Sequence, residues 1–275
     1  MIQVTTAGEL QRSLMEKDDV GFVPTMGALH EGHRSLVRTA ATECETVVAS
    51  IFVNPTQFND PRDLDAYPRT LEADLGVLEA SGCHVVFLPS AEEMYGYGSA
   101  RVMAGSVAAL WEGEHRPGHF DGVATIVAKL FGAVGPCTAF FGLKDLQQCA
   151  VVRDMVASLL LPVGLRLVPT VREPSGLAMS SRNVRLTEDG RAKAACMYQT
   201  LLSSVRRIQD GEQAGSVLAQ GSESLRAQGF EVEYLAMVDP VTMEPRKTAD
   251  PTSHIIVAAK IEGIRLIDNL PVSAS

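Results

Sequence analysis

Val20–Thr25 reads VGFVPT and passes without a break into Met26–His33, MGALHEGH. The first run is mostly apolar without polar alternation, the composition of a strand covered on both faces, as parallel sheets produce. Gly27 allows a tight turn, and a helix is predicted to open near His30 or Glu31. Further along, similar short runs appear at Val47–Val53 (VVASIFV), Val85–Leu88 (VVFL), Thr138–Phe141 (TAFF) and Leu165–Pro169 (LRLVP). Helical patterns separate them: Val123, Ile126, Val127, Leu130, Phe131 and Val134 make one apolar stripe. Strand, helix, strand, helix predicts an α/β fold, a doubly wound Rossmann-like parallel sheet. Ligands of such sheets bind beyond the carboxyl ends of the strands, near the point where strand order reverses.

After about Arg172 the pattern changes. Pro174, Ser175 and Gly176 form a turn, and Thr187–Ile208 reads as one helix with Thr187 as N-cap and Glu188 and Asp189 in its first turn. Ala194, Met197, Leu201, Val205 and Ile208 would be its buried face. A helix at Ala214–Gln228 and strand-like runs at Glu231–Asp239 and Ile255–Ala259 follow. The expectation is a Rossmann-like α/β domain over residues 1–172 and a smaller α+β domain over 173–275.

The chain has 275 residues, with 46% hydrophobic and 21% charged, an ordinary globular balance. Its 24 Lys+Arg against 33 Asp+Glu give a formal charge of −9, without the clustered cations that a nucleic-acid backbone demands. The longest apolar stretch, Met155–Leu165, is broken by Ser158, Pro162 and Gly164 and falls short of the ~20 residues of a bilayer span. MIQVTTAGELQRS at the start has neither a basic n-region nor an apolar h-region, so a cytoplasmic protein is expected. Cys44, Cys83, Cys137, Cys149 and Cys196 never form CxxC and are expected to be buried or partly buried thiols.

His30 and His33 stand three apart at a predicted helix mouth, where peptide N–H groups lack internal partners and can receive an anion. HEGH closes one residue too early for the HExxH zinc motif. A structural role for both rings is the alternative that spacing alone leaves open. VNPTQF (Val53–Phe58) sets the amides of Asn54 and Gln57 at the same sheet edge, where a glutamine can donate to a carboxylate and accept from a hydroxyl. FGLKDLQQ (Phe141–Gln148) places Gly142 at a turn, Lys144 at a helix mouth and Gln148 one turn on. Lys144 suits polyphosphate, or is a solvated surface lysine. In GLAMSSRN (Gly176–Asn183), Arg182 can fork onto phosphate oxygens with Ser180 and Ser181 beside it, or SSR is an ordinary cap region. Within WEGEHRPGHFDGV (Trp111–Val123), Glu112 and Arg116 either bind ligand or pair with each other at the surface. Neither GxGxxG with a following acid nor GxxxxGK[ST] occurs.

Together, PTMGALHEGH, SIFVNPTQF, DLDAYPRTLEADL, RPGHFDGVATIVAKLF, FGLKDLQQ, VREPSGLAMSSRN and the late RLIDN resemble the pantoate–β-alanine ligases of the nucleotidyltransferase superfamily, over nearly the whole chain. The resemblance implies an ATP-dependent condensation of pantoate with β-alanine through a pantoyl adenylate, in a homodimer. It implies that His30 and His33 meet the nucleotide, with His33 the proton donor and His30 and Lys144 sharing the catalysis. Met26, Gly27, Gly142, Lys144, Asp145, Val171, Met179, Ser180, Ser181 and Arg182 would complete the ATP site. Gln57 and Gln148 would hold pantoate, Gln57 would also face β-alanine, and Asn54, Glu112 and Arg116 would line that pocket. An acyl adenylate is prone to hydrolysis, which gives the C-terminal domain a reason to act as a lid carrying part of the phosphate clamp. Two departures stand out. Leu143 replaces the acid of the family's usual FGEKD, and of the acids that follow YPRT in relatives with a magnesium assignment only Asp74 remains in place. Mg²⁺ is therefore expected to arrive mainly with ATP. Two rival readings are an enzyme that adenylates a different acid or transfers a nucleotide to a phosphate ester, and a non-catalytic ATP-binding regulatory module.

Overall fold

Six strands, β1 (Ile2–Val4), β2 (Val20–Thr25), β3 (Thr46–Ile51), β4 (Val85–Phe87), β5 (Cys137–Gly142) and β6 (Val163–Val168), join in one parallel sheet ordered β1-β4-β3-β2-β5-β6. This computed structural model describes every residue except Tyr97, Ser99, Ala274 and Ser275. From β2 the order runs one way through β3 and β4 and the other way through β5 and β6, so it reverses between β2 and β5. The carboxyl end of β2 is Thr25, just ahead of MGALHEGH.

Burial on both faces explains why β2, β3 and β4 are apolar almost throughout. Val23, Val47, Ala49, Val86 and Phe140 point to one side, against Leu36, Val37 and Ala40 of helix Glu31–Glu43 and Leu78 of helix Leu71–Ala80. Phe22 and Phe141 point to the other, each edge-on to Phe131 of helix His119–Val134 at 6.2 and 6.5 Å between ring centroids. Helix Ala7–Leu14 packs beside that helix.

By contact density the chain divides into two units: Met1–Gly142 with Val151–Pro169, which carries the parallel sheet, and Leu143–Ala150 with Thr170–Ser275. The second unit contains an antiparallel sheet, β7 (Glu231–Val238), β8 (His254–Ile261) and β9 (Ile264–Pro271), in that order. Its core joins Leu201, Val205 and Ile208 of helix Cys196–Gln209 and Val217 and Leu225 of helix Ala214–Ala227 to Met237, Ile255, Val257, Ala259 and Leu266.

The sequence reading and the structure part at three elements. β1 and β9 are strands that the sequence pattern does not announce. The helix expected over Thr187–Ile208 is two, Glu188–Ala194 and Cys196–Gln209, although Ala195 between them keeps right-handed helical dihedrals (φ −61°, ψ −23°). The chain is jogged there, not unwound. All five cysteines are buried or half-buried free thiols, and burial pushes those of Cys44 and Cys83 up to about 11 and that of Cys137 to about 12. Among the described residues no helix is long and apolar enough to cross a membrane.

Candidate active site

In the first unit, β2 ends in a turn held by a buried carboxylate. Thr25 donates its hydroxyl to the Ser50 carbonyl at 2.7 Å, and the backbone then turns through Gly27 (φ 80°) and Ala28 (φ 50°). Left-handed backbone suits glycine but strains alanine by roughly 1–2 kcal/mol. Asp74 holds that conformation: its Oδ2 accepts from the Ala28 N–H at 2.9 Å and its Oδ1 from the Leu29 N–H at 2.8 Å. Thr70, the N-cap of helix Leu71–Ala80, gives its hydroxyl to Asp74 Oδ2 at 3.2 Å and makes no side-chain cap bond. A Cβ on Gly27 would lie 3.0 Å from Asp74 Oδ2, so the close approach as well as the φ angle calls for glycine.

The turn delivers two histidines in a reciprocal cap. His30 is the N-cap of helix Glu31–Glu43; its Nδ1 accepts from the Gly32 N–H at 3.1 Å, while His33 Nδ1 accepts from the His30 N–H at 3.3 Å. The rings lie 4.1 Å apart between centroids. A nitrogen that accepts from a backbone N–H carries no proton, so the caps select the Nε2–H tautomer of each ring. Here the structure amends the sequence reading, in which backbone N–H groups at the helix mouth were the anion donors. The imidazoles take the amides of Gly32 and His30, which places each ring's own proton on Nε2.

The second strand end is equally well braced. Asn54 caps the short turn Pro55–Gln57 and is 1% exposed. Its Nδ2 donates to Gln57 Oε1 and to the Gly122 carbonyl, both at 3.1 Å, and its Oδ1 accepts from Tyr95 Oη at 2.6 Å and Thr56 Oγ1 at 3.0 Å. Asn54 therefore supports Gln57 from beneath. Helix His119–Val134 comes so close that a Cβ on Gly122 would stand 2.5 Å from the Thr56 carbonyl oxygen. Gln57 Nε2 also reaches Met26 Sδ at 3.1 Å.

The backbone of Gln57 is held by His119, which sequence reasoning missed. His119 Nδ1 meets the Gln57 carbonyl at 2.8 Å and its Nε2 meets Arg116 Nη1 at 3.0 Å. A carbonyl only accepts and a guanidinium only donates, so the ring is the Nδ1–H tautomer. Arg116 extends to the Gln57 carbonyl at 3.4 Å and to Glu112 at 3.9 Å. Glu112 is buried, so the pair is not the solvated surface bridge that composition allowed. Met26, Asn54, Gln57, Glu112 and Arg116 thus form one linked network.

In the second unit, Lys144 leaves the single 3₁₀ turn Leu143–Asp145, 3.5 Å from Asp145 Oδ1, and Gln148 follows half-buried in helix Leu146–Ser158. The VREPSGLAMSSRN segment doubles back on itself: Arg172 bridges Ala178, and the Met179 N–H donates to the Val171 carbonyl at 3.0 Å across a turn at Gly176 (φ 94°). Ser180, Ser181 and Arg182 follow, half-buried, and Ser180 Oγ accepts from the Arg182 N–H at 3.2 Å. Buried Asn183 fixes the end of this loop, donating to Glu173 Oε1 at 2.9 Å and to the Ala178 carbonyl at 3.1 Å. Arg191 forks onto both Glu173 oxygens at 2.8 and 2.9 Å. Burial alone would raise the Glu173 carboxyl, but the Arg191 and Asn183 hydrogen bonds outweigh it and hold it below the ordinary range.

The donor set offers no dedicated metal cradle. Among the described residues no three His, Cys, Asp or Glu side chains are grouped to hold an ion, and the Asp74 carboxylate is engaged by the turn it braces.

Both braces can be tested by stability. Asp74→Ala leaves two backbone N–H groups without their acceptor, at about 1–3 kcal/mol each, so its urea midpoint should fall well below that of the wild type; an unchanged midpoint would show that the turn holds itself. Glu173 has a depressed folded pKa, so its contribution to stability is complete above the unfolded value of roughly 4.3 and is lost as pH drops through the folded value. The stability gap between wild type and Glu173→Gln should therefore close as urea titrations are taken to lower pH, and a gap that persists would count against the pairing.

Comparison with known proteins agrees with this architecture. Residues 2–271 match the family model described as pantoate-beta-alanine ligase. A curated pantothenate synthetase of Cereibacter sphaeroides is 47% identical over 257 residues, 93% of this chain and 92% of that protein. A crystal structure of pantothenate synthetase from Thermus thermophilus superposes with a TM-score of 0.95 at 48% identity, covering 100% of both chains. The pantoate-beta-alanine ligase of Francisella tularensis, solved with beta-gamma ATP and beta-alanine, matches with a TM-score of 0.84 at 32% identity over 100% of this chain and 99% of that one. The chain is a ligase and belongs to the pantoate–β-alanine ligase family.

Proposed function

We propose that this enzyme joins pantoate to β-alanine at the expense of ATP, in pantothenate biosynthesis in the cytoplasm. A pantoate carboxylate oxygen attacks the α-phosphorus, the bond to pyrophosphate breaks, and pantoyl adenylate is left. The β-alanine amine then attacks the acyl carbon and AMP departs. The observation that best supports this is the pair of reciprocally capped imidazoles, each with its proton on Nε2, at the carboxyl end of β2 beside the reversal of strand order. The Francisella relative's complex with beta-gamma ATP and beta-alanine points the same way.

Roles are assigned residue by residue. His30 and His33 donate to phosphate oxygens, His33 being the proton donor, and Met26 and Gly27 line the nucleotide. Lys144, Ser180, Ser181 and Arg182 stabilise the phosphates, and Gly142, Asp145, Val171 and Met179 contribute backbone and shape. Gln57 and Gln148 bind pantoate, Gln57 also facing β-alanine, with Asn54, Glu112 and Arg116 at the edge of that pocket. In-line displacement at phosphorus is catalysed chiefly by positioning and by charge placed where it develops. Donors held by buried neighbours supply the first, and Lys144 and Arg182 the second. Mg²⁺ enters as the counter-ion of ATP, so it belongs to the substrate. Residues 1–172 take nucleotide and pantoate and 173–275, of which the last two lie outside the described residues, act as the lid domain. The assembly is a homodimer.

AMP release that requires ATP, pantoate and β-alanine together is the expected result of a coupled assay. Pyrophosphate exchange supported equally by unrelated acids would favour an adenylating enzyme of other specificity, and ATP binding without AMP release a regulatory module. His33→Ala and Lys144→Ala should each reduce turnover more than tenfold with folding retained, and wild-type turnover in either would remove that residue from the mechanism. Gln148→Ala should weaken pantoate more than ATP, since a lost substrate hydrogen bond is worth ~1–3 kcal/mol.

A further inference from the structure

RLIDN, Arg265–Asn269, has no part in the chemistry assigned above, yet its last two residues are buried and polar, Asp268 at 5% exposure and Asn269 at 6%. They lie on β9, which pairs with β8 along one side and is the edge of its sheet on the other. An edge strand leaves a row of backbone groups without ladder partners. At this edge Arg172 Nη2 donates to the Asn269 carbonyl at 3.3 Å. The same guanidinium forks onto Asp268, Nη1 to Oδ2 at 2.6 Å and Nη2 to Oδ1 at 2.9 Å, reaches the Gly176 carbonyl at 3.1 Å, and lies over the Tyr198 ring at 3.8 Å. Asp268 Oδ1 also accepts from the Asn269 N–H at 2.8 Å.

Asn269 turns its carboxamide the other way. Nδ2 donates to the Leu143 carbonyl at 2.8 Å and to the Lys144 carbonyl at 3.1 Å. One NH₂ group has two hydrogens in a fixed plane, so bonding two successive carbonyls sets the orientation of both peptide units. Those units are the 3₁₀ turn from which the Lys144 side chain departs, a turn too short to hold its own geometry.

We propose that Asn269 is a positioning residue for Lys144, and that Asp268, through Arg172, ties the same strand to the loop bearing Ser180, Ser181 and Arg182. The inference rests on the reading that Lys144 contacts the ATP phosphates. RLIDN then acts as a brace that holds two phosphate-contacting segments in fixed register, and its amide matters to ATP only through the ammonium that it aims. A small displacement of such a group loses much of its effect, because the interaction depends on distance and direction.

ATP titrated calorimetrically into the full chain tests this in four proteins: wild type, Asn269→Ala, Lys144→Ala and the double variant, with the urea midpoint of each recorded. Asn269→Ala should weaken ATP on the order of tenfold, and the double variant should bind ATP no more weakly than Lys144→Ala alone. Asn269→Asp, which keeps the shape but turns an acceptor toward the two carbonyls, should match Asn269→Ala and replaces it if the alanine variant does not fold. A loss on removing Asn269 that is equally large in the Lys144→Ala background would mean general support of the fold and would overturn the proposal. So would a loss in Lys144→Ala with none in either Asn269 variant. ATP affinity unchanged in all of them would remove Lys144 from the phosphate site, and the inference with it.

Discussion

A carboxylate shut away from water must find donors, and Asp74, 2% exposed, finds them in the backbone of Ala28 and Leu29. Those two bonds hold a turn that the chain would otherwise resist, since Gly27 and Ala28 are consecutive residues with positive φ. Strain of this kind persists only where the surroundings over-determine it. Everything after the turn inherits its direction: the helix starts at Glu31 because His30 is placed to cap it, and His33 bonds back to the His30 N–H because the helix has started. The site in this unit is therefore a consequence of one acid on a neighbouring helix, and the two histidines are its visible end.

The same arrangement recurs after β3, after β5 and in the loop beyond β6. In the interior strands of a parallel sheet the backbone groups find ladder partners, and past the last pair they have none, so where water is excluded side chains must take over. Asn54 does this for the Pro55–Gln57 turn, His119 for the Gln57 carbonyl, Asn269 for the turn before Lys144, and Asn183 for the close of the serine loop. These are amides and an imidazole, able to bond in two directions at once, and all four are buried. Side chains assigned to substrate are mobile by type, above all lysine and arginine, and gain direction from rigid backbones beneath them.

How much of this the sequence disclosed follows from where the signal lies. The bounds of β2 were legible to the residue, because two-sided burial writes an unbroken apolar run. The three residues of β1 are too few to show a period, and β9 alternates Arg265, Asp268 and Asn269 with its apolar residues, so RLIDN registered only as a motif. A hairpin signal was there to be used: Glu262 and Gly263, with φ 53° and 71°, form a two-residue loop between two apolar runs. Nothing at Ala195 marks the jog, since neither glycine nor proline interrupts the helix. The histidine motif was found, but not its capping geometry, because imidazole is not among the usual N-cap side chains. His119 sat unremarked inside RPGHFDG, and the role of Asp74 depended on a contact across more than forty residues that no local pattern encodes.

The caps also divide the electrostatic work of the proposed reaction. A second proton on either ring would convert Nδ1 from acceptor to donor and break a cap, an interaction typically worth about 0.5–2 kcal/mol. In the proposed reaction a ring whose cap holds would meet phosphate as a directional Nε2–H donor. The proton-donor role assigned to His33 requires it to take up a second proton and give up its cap. Fixed positive charge falls instead to Lys144 and Arg182, whose side chains cannot accept a hydrogen bond and have no backbone donor to serve. Donors that select geometry and cations that neutralise charge thus come from different residue types, and the histidine pair is suited to aligning the α-phosphate before charge builds on the departing pyrophosphate. The acids nearest these turns, Asp74 above all, are meanwhile occupied in holding the backbone that places the histidines.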